Sequence, residues 1–294
     1  MRTQPQDVIA KLEADNSRLA KEKILLDAMN EGLDEFFEGL KMCLDKLYTF
    51  GVKQVPTKDE VISAQGCKWE VFKALAEKLN KRELTGHAAR DAIELVMSSA
   101  TAEQWNGFYR RILIKDLRCG VSEKTVNSVA KKNKFGKYMV PVFTCQLAHD
   151  SANHEKKLVG KKMLEVKLDG VRTLAIVHPD GKVDMLSRNG KEFTNFGHIQ
   201  DEISAVVKQD PPPYPLVLDG EVMSENFQDL MKQVHRKGSA DAKDAVLHLF
   251  DFIPLEEFKK GKWDKTQTLR TAMLKAWYQK HETNLNAVTV LDHE

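Results

Sequence analysis

The stretch Glu165-Val166-Lys167-Leu168-Asp169-Gly170-Val171-Arg172 sets one lysine among acidic, glycine and arginine neighbours. Asp-Gly is typical of a tight connection between two strands, so the segment predicts a strand-to-strand hairpin. Gly170 would also let the backbone approach a ligand closely. An amine must be neutral to attack phosphorus, whereas an ordinary lysine is mostly protonated at neutral pH. Lys167 could therefore be a nucleophile only if burial beside a strand, or a cation such as Arg172, favoured its neutral form. A plain surface hairpin is the alternative interpretation.

Three further segments follow this stretch along the chain. They are Leu186-Ser187-Arg188-Asn189-Gly190, Val217-Leu218-Asp219-Gly220-Glu221-Val222 and Leu249-Phe250-Asp251-Phe252-Ile253-Pro254. The stretch Lys-x-Asp-Gly-x-Arg at 167–172 resembles motif I of the covalent nucleotidyltransferases. The three later segments resemble motifs Ia, III and IIIa, and all four follow one another in that superfamily's order. The superfamily contains ATP-dependent DNA ligases, RNA ligases and mRNA-capping enzymes.

The resemblance implies a chemical role for three basic residues. Lys167 would be the catalytic lysine that takes AMP from ATP. Arg172 would contact the nucleotide or the phosphate of a nick, and Arg188 would hold the ribose and the 5′-phosphate, which suits the planar fork of an arginine. Each transfer is an in-line displacement at phosphorus, so ATP and Mg²⁺ or another divalent cation are the expected cofactors. Arg188 could instead be a surface charge on a hairpin.

Three other side chains would complete the nucleotide site by the same resemblance. Glu221 would bond the ribose hydroxyls or help to place the metal, Glu165 would contact the purine edge, and Phe250 would stack on adenine. Two alternatives remain open from the residues themselves: Glu221 could be a turn carboxylate after Asp-Gly, and Phe250 could be a core residue of an alternating strand.

Residues 1–138 predict an all-helical domain, because apolar residues recur three or four positions apart through most of this half. Within it, Gly120 suits a helix end and Ser122 suits the N-cap of the next helix. The turn would aim free backbone N–H groups outward beside Arg118 and Lys124, which predicts a phosphate cradle. An ordinary helix-turn-helix corner is the alternative. The segment 117–121 resembles the element by which helical DNA-binding domains of DNA ligases hold duplex phosphates, which implies a DNA-binding domain here.

Residues 139–294 predict an α+β domain, the adenylation (nucleotidyltransferase) domain of the resemblance. Alternating apolar residues and turn signals predict strands over residues 164–168, 171–178, 183–187, 216–223 and 246–252. Helices are expected over residues 199–208, 227–236 and 267–281, and the second of these could touch DNA through Lys232, His235, Arg236 and Lys237. The fold class is thus multidomain, α followed by α+β, with an antiparallel sheet carrying the motifs.

Bulk properties limit the class of protein without deciding it. A chain of 294 residues with a net charge of +2 can form two domains but has no strong overall field, so any DNA contact must come from local basic patches. The four cysteines show no metal-binding spacing and read as reduced thiols. With a polar start and no long apolar run, we expect a cytoplasmic protein, in the host cytoplasm if the source is viral.

The predicted function is that of an ATP-dependent DNA ligase of the kind found in tailed phages, serving DNA replication, repair and recombination. It would seal 5′-phosphate/3′-hydroxyl nicks in double-stranded DNA through a lysyl-AMP intermediate, as a monomer. The sequence stops at Glu294, before any segment resembling motif IV, motif V or the OB-fold. We therefore expect the domain to be incomplete at its C-terminus, and the missing part could lie on another chain. Alone, the chain should bind nicked DNA but self-adenylate and seal poorly. An RNA ligase or capping-type enzyme and a non-catalytic nick-binding fragment are the alternatives.

Overall fold

The computed structural model describes residues 3–59, 64–225 and 242–293. The chain separates into two compact units, residues 1–143 and 144–294. The sequence placed the boundary earlier, after residue 138. It lies later because Tyr138 and Val140 are buried in the core of the first unit, where Tyr138 stacks on Phe37 with ring centroids 4.1 Å apart.

The first unit is built from helices, and no strand occurs in the part of it that the structure describes. Its helices are α1 (Pro5–Ala14), α2 (Arg18–Asn30), α3 (Asp34–Leu44), α4 (Trp69–Asn80), α5 (Gly86–Ser99), α6 (Ala102–Gln104), α7 (Arg110–Leu113) and α8 (Glu123–Lys132). A π-helical turn, Trp105–Tyr109, joins α6 to α7.

The core of this unit is formed by the apolar residues whose helical spacing is visible in the sequence. Aromatic side chains at helical spacing, among them Phe36, Phe37, Phe72, Trp105 and Phe108, are almost completely buried. Burying each large side chain contributes roughly 1.5–3 kcal/mol, so the apolar stripes of the helices are held against one another. Cys43, Cys67 and Cys119 are also buried and unpaired, as the sequence predicted.

The second unit is a mixed sheet covered by helices. In chain order its elements are β1 (Val171–Val177), β2 (Val183–Ser187), α9 (Gly197–Gln209), β3 (Leu216–Met223), β4 (Val246–Pro254), α10 (Leu255–Lys260), α11 (Gln267–His281) and β5 (Val288–Val290). The strand order is β2-β1-β3-β4-β5. The first four strands pair antiparallel, as predicted, and the short β5 adds a parallel edge that the sequence analysis did not anticipate.

The strand predicted over residues 164–168 is wrong. Leu164 and Val166 are 66% and 67% exposed, and the segment makes only an isolated bridge between Glu165 and His293. Both edges of β1 are already occupied, by β2 on one side and β3 on the other. No edge is therefore left for a hairpin partner before Val171, and the segment crosses the end of the sheet as irregular chain.

The helix predicted over residues 227–236, with its proposed DNA contacts at Lys232, His235, Arg236 and Lys237, lies outside the described residues. None of the helices that the structure describes is long and apolar enough to cross a membrane.

Candidate nucleotide-binding site

A cavity of about 910 Å³ lies in the second unit, against the sheet. Five of the six predicted nucleotide-site residues line it: Glu165, Lys167, Arg172, Glu221 and Phe250. Arg188 follows the end of β2 and does not line the cavity, but its carbonyl accepts a hydrogen bond from the Cys145 thiol, which does. Residues that are far apart in sequence thus meet at one place.

A β-bulge aims two side chains of β4 into this cavity. The register pairs Asp219 with Asp251 and Gly220 with Leu249, so Phe250 is left without a partner on β3. A residue and its neighbour in a regular strand point to opposite faces, whereas a bulge re-aims one of them. Phe250 and Asp251 therefore both line the cavity. Phe250 is half-buried there rather than packed into the core, unlike the alternative that the sequence left open.

Arg172 is held by a bidentate ion pair. Its Nε and Nη2 donate to Asp219 Oδ1 at 2.6 Å and Oδ2 at 2.7 Å, and Nη2 also donates to the Gln146 carbonyl at 3.3 Å. The guanidinium carbon lies 4.7 Å from the centre of the Phe250 ring. Burial raises the pKa of the Asp219 carboxyl, and the arginine opposes that shift. Arg172 is therefore oriented by the sheet, beside the ring proposed to stack on a base.

A second bidentate pair was missed by the sequence analysis. Arg270, in the first turns of α11, donates from Nε to Asp251 Oδ1 at 2.8 Å and from Nη2 to Asp251 Oδ2 at 3.0 Å. Both residues line the cavity. The sequence did contain one signal, since a carboxylate such as Asp251 among the apolar residues of a strand needs a buried partner. Which residue is that partner could not be read from the sequence.

Lys167 is exposed and belongs to no strand, so burial beside a strand, one of the two conditions considered for a nucleophilic lysine, is not met. Its segment is nevertheless anchored. The Gly170 N–H donates to Glu221 Oε1 at 3.1 Å. A Cβ at Gly170 would collide with the Val222 carbonyl oxygen and would lie 2.6 Å from Met223 Sδ, so only glycine fits against β3 here. The sequence predicted a close approach of the Gly170 backbone to a ligand, and the close neighbour that the structure shows is the backbone of β3.

The two glutamates of the cavity titrate abnormally. Desolvation raises the pKa of both the Glu165 and the Glu221 carboxyls, and for Glu221 the Gly170 N–H, Arg172 and Lys167 oppose the shift. Among the described residues, no group of three or more histidine, cysteine, aspartate or glutamate side chains could hold a metal ion. Glu221, the predicted metal ligand, shares the cavity with the carboxylates of Glu165, Asp219 and Asp251.

The predicted phosphate cradle of the first unit is an exposed turn. Arg118 and Gly120 have positive φ angles of 52° and 65°, and Ser122 caps α8, where its Oγ accepts a hydrogen bond from the Thr125 N–H. Arg118, Ser122 and Lys124 are exposed. Beneath the turn, the buried Lys21 ammonium donates to the Cys119 carbonyl at 2.8 Å. The turn therefore presents a helix N-terminus flanked by basic side chains.

Comparison with known proteins identifies the family. The profile of the ATP-dependent DNA ligase domain matches residues 144–293, which is the whole of the unit that carries the cavity apart from its last residue. The chain belongs to the ATP-dependent DNA ligase family. The resemblance read from the four motifs is thereby confirmed, and this ligase-family chain is 26% identical over 151 residues to the DNA ligases of enterobacteria phages T4 and T6.

A solved structure named Pmar-Lig_Pre is 60% identical, with a TM-score of 0.56. The match covers 99% of the ligase-family chain and 66% of that solved chain. The match to the two phage ligases covers 49% of the chain and 30% of each phage enzyme. The chain thus spans about two thirds of one relative and less than a third of the others.

Proposed function

We propose that this chain carries the nucleotide-binding and DNA-binding parts of an ATP-dependent DNA ligase that seals nicks with a 5′-phosphate and a 3′-hydroxyl in duplex DNA. One observation carries the proposal: a single cavity gathers the motif lysine with Glu165, Arg172, Glu221 and Phe250. That cavity lies in the unit matched by the ligase family.

In the first step, the neutral Nζ of Lys167 attacks the α-phosphorus of ATP. An N–P bond forms, the bond from that phosphorus to the bridging oxygen breaks, and pyrophosphate leaves while the amine loses a proton. Lys167 is exposed, so its Nζ is open to an incoming nucleotide.

Phe250 and Arg172 position the nucleotide. The bulge turns the Phe250 ring toward the cavity, where it stacks on adenine, and the Arg172 guanidinium lies 4.7 Å from the ring centre. Glu165 accepts a hydrogen bond from the purine edge. Glu221, which already fixes Gly170, accepts from the ribose hydroxyls or joins the metal. A bound divalent cation would neutralise phosphate charge, with Glu221 as its candidate protein ligand.

In the later steps the AMP passes to the 5′-phosphate of the nick and is then displaced by the 3′-hydroxyl. Arg188 is proposed to contact the 5′-phosphate from its exposed turn beside the cavity. The helical unit holds the duplex by its sugar-phosphate backbone, and Arg118, Lys124 and the N-terminus of α8 contact the phosphates. Nicked double-stranded DNA is thus the proposed partner of a monomeric protein.

Labelled nucleotide tests the proposal. The chain, and a fusion of it to the part of Pmar-Lig_Pre outside the match, are incubated with magnesium and labelled ATP or GTP. We expect covalent label from ATP on the fusion, and slower labelling of the chain alone. Lys167→Ala should abolish the label, whereas Lys162→Ala, at another exposed lysine of the same segment, should leave it unchanged.

The other outcomes separate the alternatives. Label that survives Lys167→Ala would contradict the assigned nucleophile. Labelling by GTP in place of ATP would favour a capping-type enzyme. A fusion that binds nicked DNA but takes no label would favour a non-catalytic nick-binding protein.

A further inference from the structure

We propose that Arg270 and Asp251 form a positioning pair that holds the base-binding wall of the cavity by fixing the β-bulge at Phe250. The proposal rests on the proposed function, because it concerns how the same cavity takes ATP. Neither residue belongs to the set expected to touch the nucleotide.

The pair is built as a rigid fork. Besides its two bonds to Asp251, the Arg270 guanidinium donates from Nη1 to the Lys265 carbonyl at 2.9 Å and from Nη2 to the Gln267 side chain. The side chains of Arg270 and Asp251 are only 15% and 11% exposed. A planar guanidinium with its donors engaged on both sides leaves the carboxylate one orientation. The start of α11 is thus fixed to β4 at the cavity.

Asp251 in turn holds the backbone of the bulge. Its Oδ1 accepts from the Phe252 N–H at 2.8 Å as well as from Arg270. Phe250, the residue before Asp251, is the one skipped by the register of β3 and β4. Since the bulge decides where that ring points, the chain of bonds from Arg270 through Asp251 to the Phe252 amide sets the position of the stacking ring.

The two forks depend on each other electrostatically. Asp219 and Asp251 face each other across β3 and β4, and each carboxylate is neutralised by its own arginine. Without Arg270, Asp251 would be an unpaired, largely buried carboxylate at the point where the strands already bulge. An unpaired buried charge is costly and would turn toward solvent, so the bulge should lose its single geometry. The expected consequence is weaker nucleotide binding rather than unfolding of the sheet.

The alternative is that the pair only attaches α11 to the sheet, as a simple fastener, and does not position Phe250. A charge swap between the two residues separates this alternative from the positioning role. The double variant Asp251→Arg with Arg270→Asp keeps an ion pair between β4 and α11. It loses the bond to the Phe252 N–H, because arginine has no acceptor. A fastener should therefore regain both stability and ATP affinity in the swap, whereas a positioning pair should regain stability alone.

The test measures binding of ATP and of inorganic tripolyphosphate to the full chain by calorimetry, with circular dichroism to verify folding. We expect Arg270→Lys to remain folded and to weaken ATP binding about tenfold while tripolyphosphate binding is unchanged, because only the base side is disturbed. Asp251→Asn should do the same. Lys280→Met, which removes the ion pair to Asp210 at the other end of α11, should leave ATP binding unchanged.

Three results would overturn the proposal. Normal ATP affinity in both Arg270→Lys and Asp251→Asn would do so, as would recovery of ATP affinity in the charge swap, or equal loss of ATP and tripolyphosphate binding. Absence of ATP binding by the unmodified chain would overturn the proposed function together with this inference, so the two failures are distinguishable.

Discussion

Gly170→Ala perturbs the anchor of the proposed nucleophile without touching Lys167 itself. The added Cβ would fall within van der Waals overlap of the Val222 carbonyl oxygen, 2.6 Å from Met223 Sδ and 3.2 Å from Glu221 Cγ. The nearest atom is backbone of a central strand, so it cannot swing aside as a side-chain end could. Gly170 has no positive φ angle, and the effect is therefore steric rather than conformational.

The size of the displacement follows from these contacts. Restoring ordinary contact with the carbonyl requires the segment 165–170 to retreat from β3 by roughly 1 Å, which also stretches the bond from the Gly170 N–H to Glu221. A misplacement of about 1 Å at a reacting group reduces rates by about 100-fold, equivalent to about 3 kcal/mol in the barrier. Because the segment belongs to no strand, the thermal stability of the sheet should change little.

The assay is the rate of AMP transfer from labelled ATP onto the fusion described above, alongside thermal unfolding. Gly197→Ala is the matched control, since a Cβ there meets nothing within 4 Å in the same unit. We expect a decline of about 100-fold in Gly170→Ala and an unchanged rate in Gly197→Ala. A rate within a few-fold of the unmodified protein would refute the reasoning that the close approach of Gly170 to β3 places the nucleophile.

Three further outcomes are expected. Arg172→Ala should reduce the free energy of unfolding by about 3–5 kcal/mol in denaturant titrations, because it leaves the buried Asp219 carboxylate without a partner. The double variant Arg172→Met with Asp219→Leu should reduce it much less. Equal losses in the two variants would contradict this. Burial lowers the pKa of Lys115 to about 8. Between that pH and the ordinary lysine value, the unfolded chain therefore binds more protons at Lys115 than the folded chain does. The free energy of unfolding should rise with pH across this window by at most about 3 kcal/mol. That rise, measured by guanidinium unfolding, should be absent in Lys115→Met. Arg118→Ala should weaken DNA binding, and the slope of log affinity against log salt concentration should fall by about one phosphate contact. Arg90→Ala, on the exposed face of α5, should change neither quantity. Fluorescence anisotropy at several salt concentrations measures both variants.

Much of the fold could be read from local patterns. Helical spacing of apolar residues predicted most of the first unit, and alternating apolar residues bounded by turn signals predicted β1 to β4. The strand over residues 164–168 failed because alternation says nothing about whether a pairing edge is available, and β1 has both edges occupied. The boundary after residue 138 was early because Tyr138 is buried against Phe37, a contact that the sequence does not reveal.

The candidate site was predictable where motifs carry it and unpredictable where packing does. Glu165, Lys167, Arg172, Glu221 and Phe250 were all chosen from motif positions, and the cavity brings them together. The bulge is a one-residue mismatch between strands far apart in sequence, so no local pattern could indicate it.

The partners of the two buried carboxylates were also hidden. Asp219 and Asp251 lie between apolar residues, which signals a need for neutralisation. The pairing of Asp251 with Arg270 joins a strand to a helix that begins many residues later, and only the folded arrangement shows it.

The most direct test of the central claim is the position of the AMP adduct. The fusion is incubated with magnesium and ATP, digested, and sequenced by tandem mass spectrometry. The account predicts an acid-labile AMP adduct on Lys167 alone, absent from Lys167→Ala. An adduct on any other side chain, or none on a fusion that binds ATP, would contradict it.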